Sequence, residues 1–184
     1  QLEPQVSDRF RLGITVTSAA SFAAGTAAAG LRYRRRLPFR IPAGSPAMAK
    51  WLLKSEPFKY SWDQMVADGR THWNGVRNHQ AANNLKAMKV GDRAFFYHSN
   101  EGLAIVGIVE IVREAYPDPS DESGRFVMVD IAPVKPVKTP VTLAAIKAEP
   151  ELAQFALVRQ SRLSVVPVAE PEWKMLCRMA GTRA

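Results

Sequence analysis

Five strand-like apolar runs, at residues 51–53, 93–98, 102–114, 125–131 and 163–168, follow one another without a regular succession of helical crossovers between them. A parallel doubly wound sheet needs such crossovers, so the runs predict an α+β fold: a small, mostly antiparallel, barrel-like sheet with peripheral helices. Gly107 interrupts the third run, and a strand accepts glycine there at a bulge or a close backbone approach. The helices are marked by their ends. Ser61-Trp62-Asp63-Gln64 has the spacing of a capping box, opening a helix that Gly69 closes. Residues 78–88 place Ala82, Leu85 and Met88 on one helical face, and Gly91-Asp92 turns the chain into the second run. A polar loop spans 117–124. Residues 142–147 and 151–155 predict two short helices divided by Pro150, and Pro171 suits the first turn of a last helix that runs to Met179 and ends at Gly181.

Residues 1–47 differ in kind. The stretch 12–31 is rich in Ala, Gly, Ser and Thr, followed by Arg32-Tyr33-Arg34-Arg35-Arg36 and prolines at 38, 42 and 46. A transmembrane span would gain little transfer energy from such residues. An organelle transit peptide shares the Arg-rich, Ser-containing, acid-poor character. The favoured expectation is an extension upstream of a start at Met48-Ala49-Lys50, where globular patterning begins abruptly. Residues 1–47 are therefore read as an Arg-rich N-terminal extension outside the globular fold, and 48–184 as the domain. Charge agrees with that division: seven Arg against Glu3 and Asp8 give residues 1–47 a charge of +5, leaving only +3 of the total +8 for the rest. The single cysteine, Cys177, excludes an internal disulfide and predicts a buried residue on a late helix in a reducing compartment. A cytoplasmic, bacterial setting is the expectation, with organelle or nucleus as the eukaryotic counterpart.

Two blocks carry the chemistry, His72-Trp73-Asn74-Gly75-Val76-Arg77-Asn78 and Phe95-Phe96-Tyr97-His98-Ser99-Asn100. Flat rings, planar amides and a guanidinium at loop-like positions suit a pocket for a planar polar ligand such as a nucleobase. Trp73 and Trp62 are candidates for the ring face. Asn74, Asn78 and the groups around Ser99 are candidates to read a polar edge, since an amide both donates and accepts. Val76, Tyr97 and His98 complete the expected lining. Lys54, Ser55, Glu56, Arg77, Arg159, Ser161 and Arg162 are candidates for phosphate or other polar contacts, which set affinity without reading sequence. Each has a structural rival: Trp62 as helix packing, His98 and Ser99 as satisfied hydrogen bonds, Arg159 and Arg162 as ion pairs that hold the terminal strand, and Glu56 with Lys54 as a solvated charge pair. Trp51 and Trp173 are expected in the core and on the last helix.

The chain has no Gly-rich phosphate loop, no Gly-x-Ser-x-Gly elbow and no His-Glu-x-x-His helix, and His72, His79 and His98 match no compact metal site. No metal, cofactor or membrane partner is expected.

Five motifs in order, Trp51-Leu52-Leu53-Lys54-Ser55-Glu56-Pro57, Trp73-Asn74-Gly75-Val76-Arg77-Asn78, Gly91-Asp92 with Phe96-Tyr97-His98-Ser99-Asn100, Ala115-Tyr116-Pro117-Asp118, and the segment 157–165, resemble the EVE domain family of the PUA-like superfamily. The resemblance covers Lys50 to about Met179. It implies a PUA-like pseudobarrel with a pocket for a flipped or single-stranded base, as in related readers of modified bases such as the YTH domains, and hence DNA or RNA containing a modified base as the partner. Related ASCH domains include amidohydrolases that use Lys and Glu, so a second expectation is a small hydrolase of a modified nucleoside using Lys54 and Glu56. That chemistry needs a desolvated Lys54, which the polar Ser55-Glu56 context opposes. A third is an assembly subunit that keeps the fold without the ligand.

Overall fold

The computed structural model describes residues 48–184; the expectations for residues 1–47 lie outside the described residues. Six strands, β1 (Lys50–Ser55), β2 (Thr71–Trp73), β3 (Arg93–His98), β4 (Ala104–Pro117), β5 (Val127–Thr142) and β6 (Val165–Val168), form one sheet in the order β2-β5-β4-β3-β1-β6. Four pairings are antiparallel and one, β1 with β3, is parallel. That parallel pair requires a crossover, and the chain supplies it with helices α1 (Trp62–Asp68) and α2 (His79–Ala87), with β2 between them. The 73–77 loop lies within this crossover.

Local chemistry sets the helix ends. Ser61 Oγ accepts from the Gln64 amide at 3.1 Å, while the Gln64 side chain bonds Asp68 at 2.7 Å instead of reaching back, so only half of the expected box forms. Gly69 closes α1 in the left-handed conformation, φ 65°. Asn78 Oδ1 accepts from the Ala81 amide and caps α2, whose Ala82 and Leu85, with Met88 just beyond, are buried as expected. Helix α5 (Glu170–Met179) carries Pro171 in its first turn and buries Trp173 and Cys177, and burial pushes the Cys177 thiol pKa up.

Gly107 is both bulge and close approach. The β4–β5 register shifts between Ile105 and Gly107, and a Cβ at 107 would stand 2.2 Å from the Trp62 ring. Strand β5 runs well past residue 131, where the sequence expectation ended. Its prolines lack an N–H, and Pro133 and Pro136 stand opposite Val109 and Gly107 beside register shifts, where a ladder bond is already missing. The expected helix at 151–155 is replaced by a 3-10 turn at Pro150–Leu152 and a helical turn, α4 (Ala156–Arg159), because buried Leu152 and Phe155 pin the chain at each bend. A helix α3 (Leu143–Ala148) precedes them, capped by Thr142.

Side chains leave β3 alternately on its two faces. Phe95 stacks on Trp173 of α5 at 4.0 Å between ring centroids, covering one face of the sheet. Phe96, on the other face, meets Trp62, Trp73 and Tyr60 edge-on or tilted at 5.6, 5.8 and 6.5 Å. Buried Asp92 accepts from the Ala49 and Lys89 amides and from the Trp51 indole, tying the start of β1 to the turn before β3. Among the described residues no helix is long and apolar enough to cross a membrane.

Candidate nucleic-acid interface

Beside the Phe96 aromatic cluster, the C-terminal end of β1, the turn at 56–60 and the loop at 71–77 enclose an open cavity of about 580 Å³. Trp73 is half-buried: one edge of its indole is held by Phe96, and the residue lines the cavity. Its place in the short strand β2, paired with Val129 across the sheet, fixes the ring where the sequence suggested only a loop.

The loop after Trp73 is held by Asp118, a residue buried to 2% exposure. Asp118 Oδ2 accepts from the Gly75 amide at 2.9 Å and from Arg77 at 2.8 Å, while Oδ1 accepts from the Ser120 amide at 2.9 Å and the Ser120 hydroxyl at 2.6 Å. Burial works to raise the Asp118 pKa, but the bonds from Ser120, Arg77 and the two amides outweigh it and hold the carboxyl well below the usual range. Gly75 turns at φ 73°, a conformation costly for other residues, and Val76 inserts its side chain into the interior. The clamp therefore faces Trp73, Asn74 and Arg77 toward one hollow.

The opposite wall comes from β1 and the turn after it. Ser55 Oγ donates to the Tyr60 carbonyl at 2.6 Å, and the Lys59 and Tyr60 amides both donate to the Glu56 carbonyl at 2.9 Å. Glu56 pairs with Lys59 at 2.7 Å. Lys54 Nζ donates to the Ser161 carbonyl at 2.9 Å, and burial lowers its pKa. Lys54, Lys59 and Arg77 thus bring three cationic groups to the cavity lining, two of them with carboxylate partners.

Of the expected site residues, Trp73, Asn74, Val76, Lys54, Ser55, Glu56 and Arg77 line this cavity together. The others do not. Trp62 is 8% exposed, packed over Gly107 and against Phe96, so it backs the aromatic cluster without lining the cavity. Tyr97 leaves β3 on the face of Phe95 and is buried at 2% exposure. His98 Nε2 accepts from the Trp62 amide at 3.2 Å, and Ser99 donates twice to the Ser55 carbonyl, so both are structural hydrogen-bonding groups. Asn78 spends its side chain capping α2. With Arg159, Ser161 and Arg162 it lines a second, smaller hollow of about 280 Å³, and Arg159 and Arg162 form no ion pair among the described residues. Sequence reasoning missed Lys59, Tyr60, Thr71, His72 and Ser164 in the lining, Phe96 beneath Trp73, and Asp118. A signal for the last was available: Asp118-Pro119-Ser120 has the spacing of an Asx turn. Among the described residues no group of three or more His, Cys, Asp or Glu could hold a metal ion.

Comparison with known proteins agrees with this architecture. Residues 49–179 match the family model described as EVE domain. Thymocyte nuclear protein 1 of Gallus gallus is 38% identical over 157 residues, a match covering 67% of this chain and 65% of that protein. Protein Rpa0253 from Rhodopseudomonas palustris, solved by NMR, is 63% identical with a TM-score of 0.70, covering 73% of this chain and 94% of that one. Human THYN1 protein, solved in complex with DNA containing 5-methylcytosine, is 34% identical with a TM-score of 0.68, covering 74% and 99% of the two chains. The chain belongs to the EVE domain family, and its mostly antiparallel sheet with flanking helices is the family's PUA-like pseudobarrel.

Proposed function

We propose that this chain is a noncatalytic reader of DNA that carries a modified base, and that the base enters the cavity beside Trp73. The carrying observation is the half-buried indole, fixed by β2 and Phe96, at the wall of a cavity whose volume lies within the range of small-molecule sites. The complex of the human relative with DNA containing 5-methylcytosine supports the choice of ligand class and makes that base the first probe. Turning a base out of its stack costs a few kcal/mol, and stacking it on an aromatic ring returns roughly 1–3 kcal/mol. Asn74, Thr71 and Ser164 offer amide and hydroxyl groups to a base edge, while Lys54, Lys59 and Arg77 face the phosphates. One buried methyl contributes about 0.8 kcal/mol, so methylation should tighten binding about fourfold, and more in a snug slot.

The test is the affinity for matched oligonucleotides, DNA and RNA, with cytosine or 5-methylcytosine, for the wild type and Trp73→Ala. Methyl-dependent binding to DNA that Trp73→Ala abolishes supports the reading; binding indifferent to both refutes it.

One observation favours the hydrolase reading, the lowered pKa of Lys54. Its geometry argues the other way, because Nζ is engaged by the Ser161 carbonyl and Glu56 is paired with Lys59. Turnover of modified nucleosides that vanishes in Lys54→Ala would overturn the noncatalytic proposal.

A further inference from the structure

We propose that Phe58 is a wedge that enters the base stack of duplex DNA next to the modified base and fills the gap left when that base turns into the cavity. This rests on the reading of the cavity as a base site. Phe58 is 69% exposed, whereas the other four phenylalanines among the described residues, Phe95, Phe96, Phe126 and Phe155, are buried. Its ring lies mostly in solvent, outside the hydrophobic core. Its position gives the reason. Phe58 stands at the tip of the 56–60 turn, with the cavity-lining residues Glu56 and Lys59 on either side of it in sequence.

The turn is built to hold a projecting ring firmly. Pro57 restricts the backbone just before it, two amides close the turn on the Glu56 carbonyl, the Glu56–Lys59 pair staples its side chains, and Ser55 and Asp68 anchor Tyr60 at its base. A rigid turn presents Phe58 with little ordering left to lose on binding. The Lys59 ammonium lies 5.6 Å from the ring centroid, so the apolar wedge and a phosphate-seeking cation advance together. Phe and Leu are both side chains that proteins insert between base steps, and the insertion offsets stacking lost around an extruded base.

Single-stranded DNA has no neighbouring stack to fill, and this separates the wedge from the pocket. The experiment measures affinity for one oligonucleotide carrying cytosine or 5-methylcytosine at the same position, each as duplex and as single strand, with wild type, Phe58→Ala, Phe58→Leu and Trp73→Ala, each checked for an unchanged thermal transition. The expected result is about tenfold weaker duplex binding by Phe58→Ala with single-strand binding unchanged, substantial recovery by Phe58→Leu, and loss of both by Trp73→Ala. If wild type distinguishes the methylated base but Phe58→Ala binds duplex as tightly as wild type, or weakens equally on both substrates, the wedge is overturned and the base site stands. If wild type ignores methylation on both substrates, the two fall together.

Discussion

Replacing Asp118 by Asn keeps its shape and removes the one carboxylate that organises the cavity loop. In the wild type each Asp118 oxygen accepts two hydrogen bonds, Oδ2 from Gly75 and Arg77 and Oδ1 from both donors of Ser120. Either orientation of an asparagine amide sets an NH₂ group against two donors. The cheaper orientation faces Ser120, whose hydroxyl can turn and accept, so the net loss is the Ser120 amide bond plus the charge on the Gly75 and Arg77 side. Arg77 is 40% exposed and can recover part of its loss from water. Hydrogen bonds to a charged group are worth roughly 1.5–3 kcal/mol, which puts the cost near 2–3 kcal/mol and the drop in Tm at about 10 °C for a domain of this size. The folded-state carboxyl has a depressed pKa, so its contribution is complete above the unfolded range near pH ~4 and is lost as pH falls through the folded value. The gap between wild type and Asp118→Asn should therefore be widest at neutral pH and close in acid. Thermal unfolding across pH, with amide exchange at Gly75, tests this. A Tm within roughly 2 °C of wild type at pH 7 and unchanged Gly75 exchange would refute the clamp.

Two further outcomes follow from the same packing. Gly107→Ala would place its Cβ 2.2–2.5 Å from three atoms of the Trp62 ring, which is buried and packs edge-on against Phe96. Urea unfolding should show a loss of about 3 kcal/mol, the upper end of overpacking costs, and a loss under about 0.5 kcal/mol would contradict the close approach. His98 should titrate below its ordinary value, because burial disfavours the imidazolium, with the Asp63 charge opposing only in part. Its folded pKa being lowered, stability should fall as pH drops below about 6.5, when the protonated Nε2 can no longer accept the Trp62 amide. An NMR titration that puts His98 above that value would contradict the assignment.

The features that sequence exposed well are those with a local cause. Ser61 and Gly69 bound α1 through groups within a few residues, and Gly107 stood out because the Val and Ile around it demanded a reason for a missing side chain. Strand β2 was invisible because three residues, Thr71, His72 and Trp73, become a strand only by pairing with β5 some sixty positions away. The continuation of β5 beyond residue 131 was missed for the complementary reason, since its prolines fit a strand only because a bulged register accommodates them. At the site, residue types were legible and directions were not. Period-two alternation sends Phe96 toward Trp73 and Tyr97 to the opposite face, and nothing in the block of residues 95–100 says which face holds the cavity. Asn78 resembled a ligand-reading amide because capping and base recognition draw on the same chemistry.

The most direct measurement is a crystal structure of this chain with a short DNA duplex containing 5-methylcytosine. The account predicts the methylated base outside the helix, in the cavity with its ring against Trp73 and its polar edge toward Asn74, Thr71 or Ser164. A complex with that base still stacked in the duplex, or with the DNA seated away from the 71–77 loop, would contradict it.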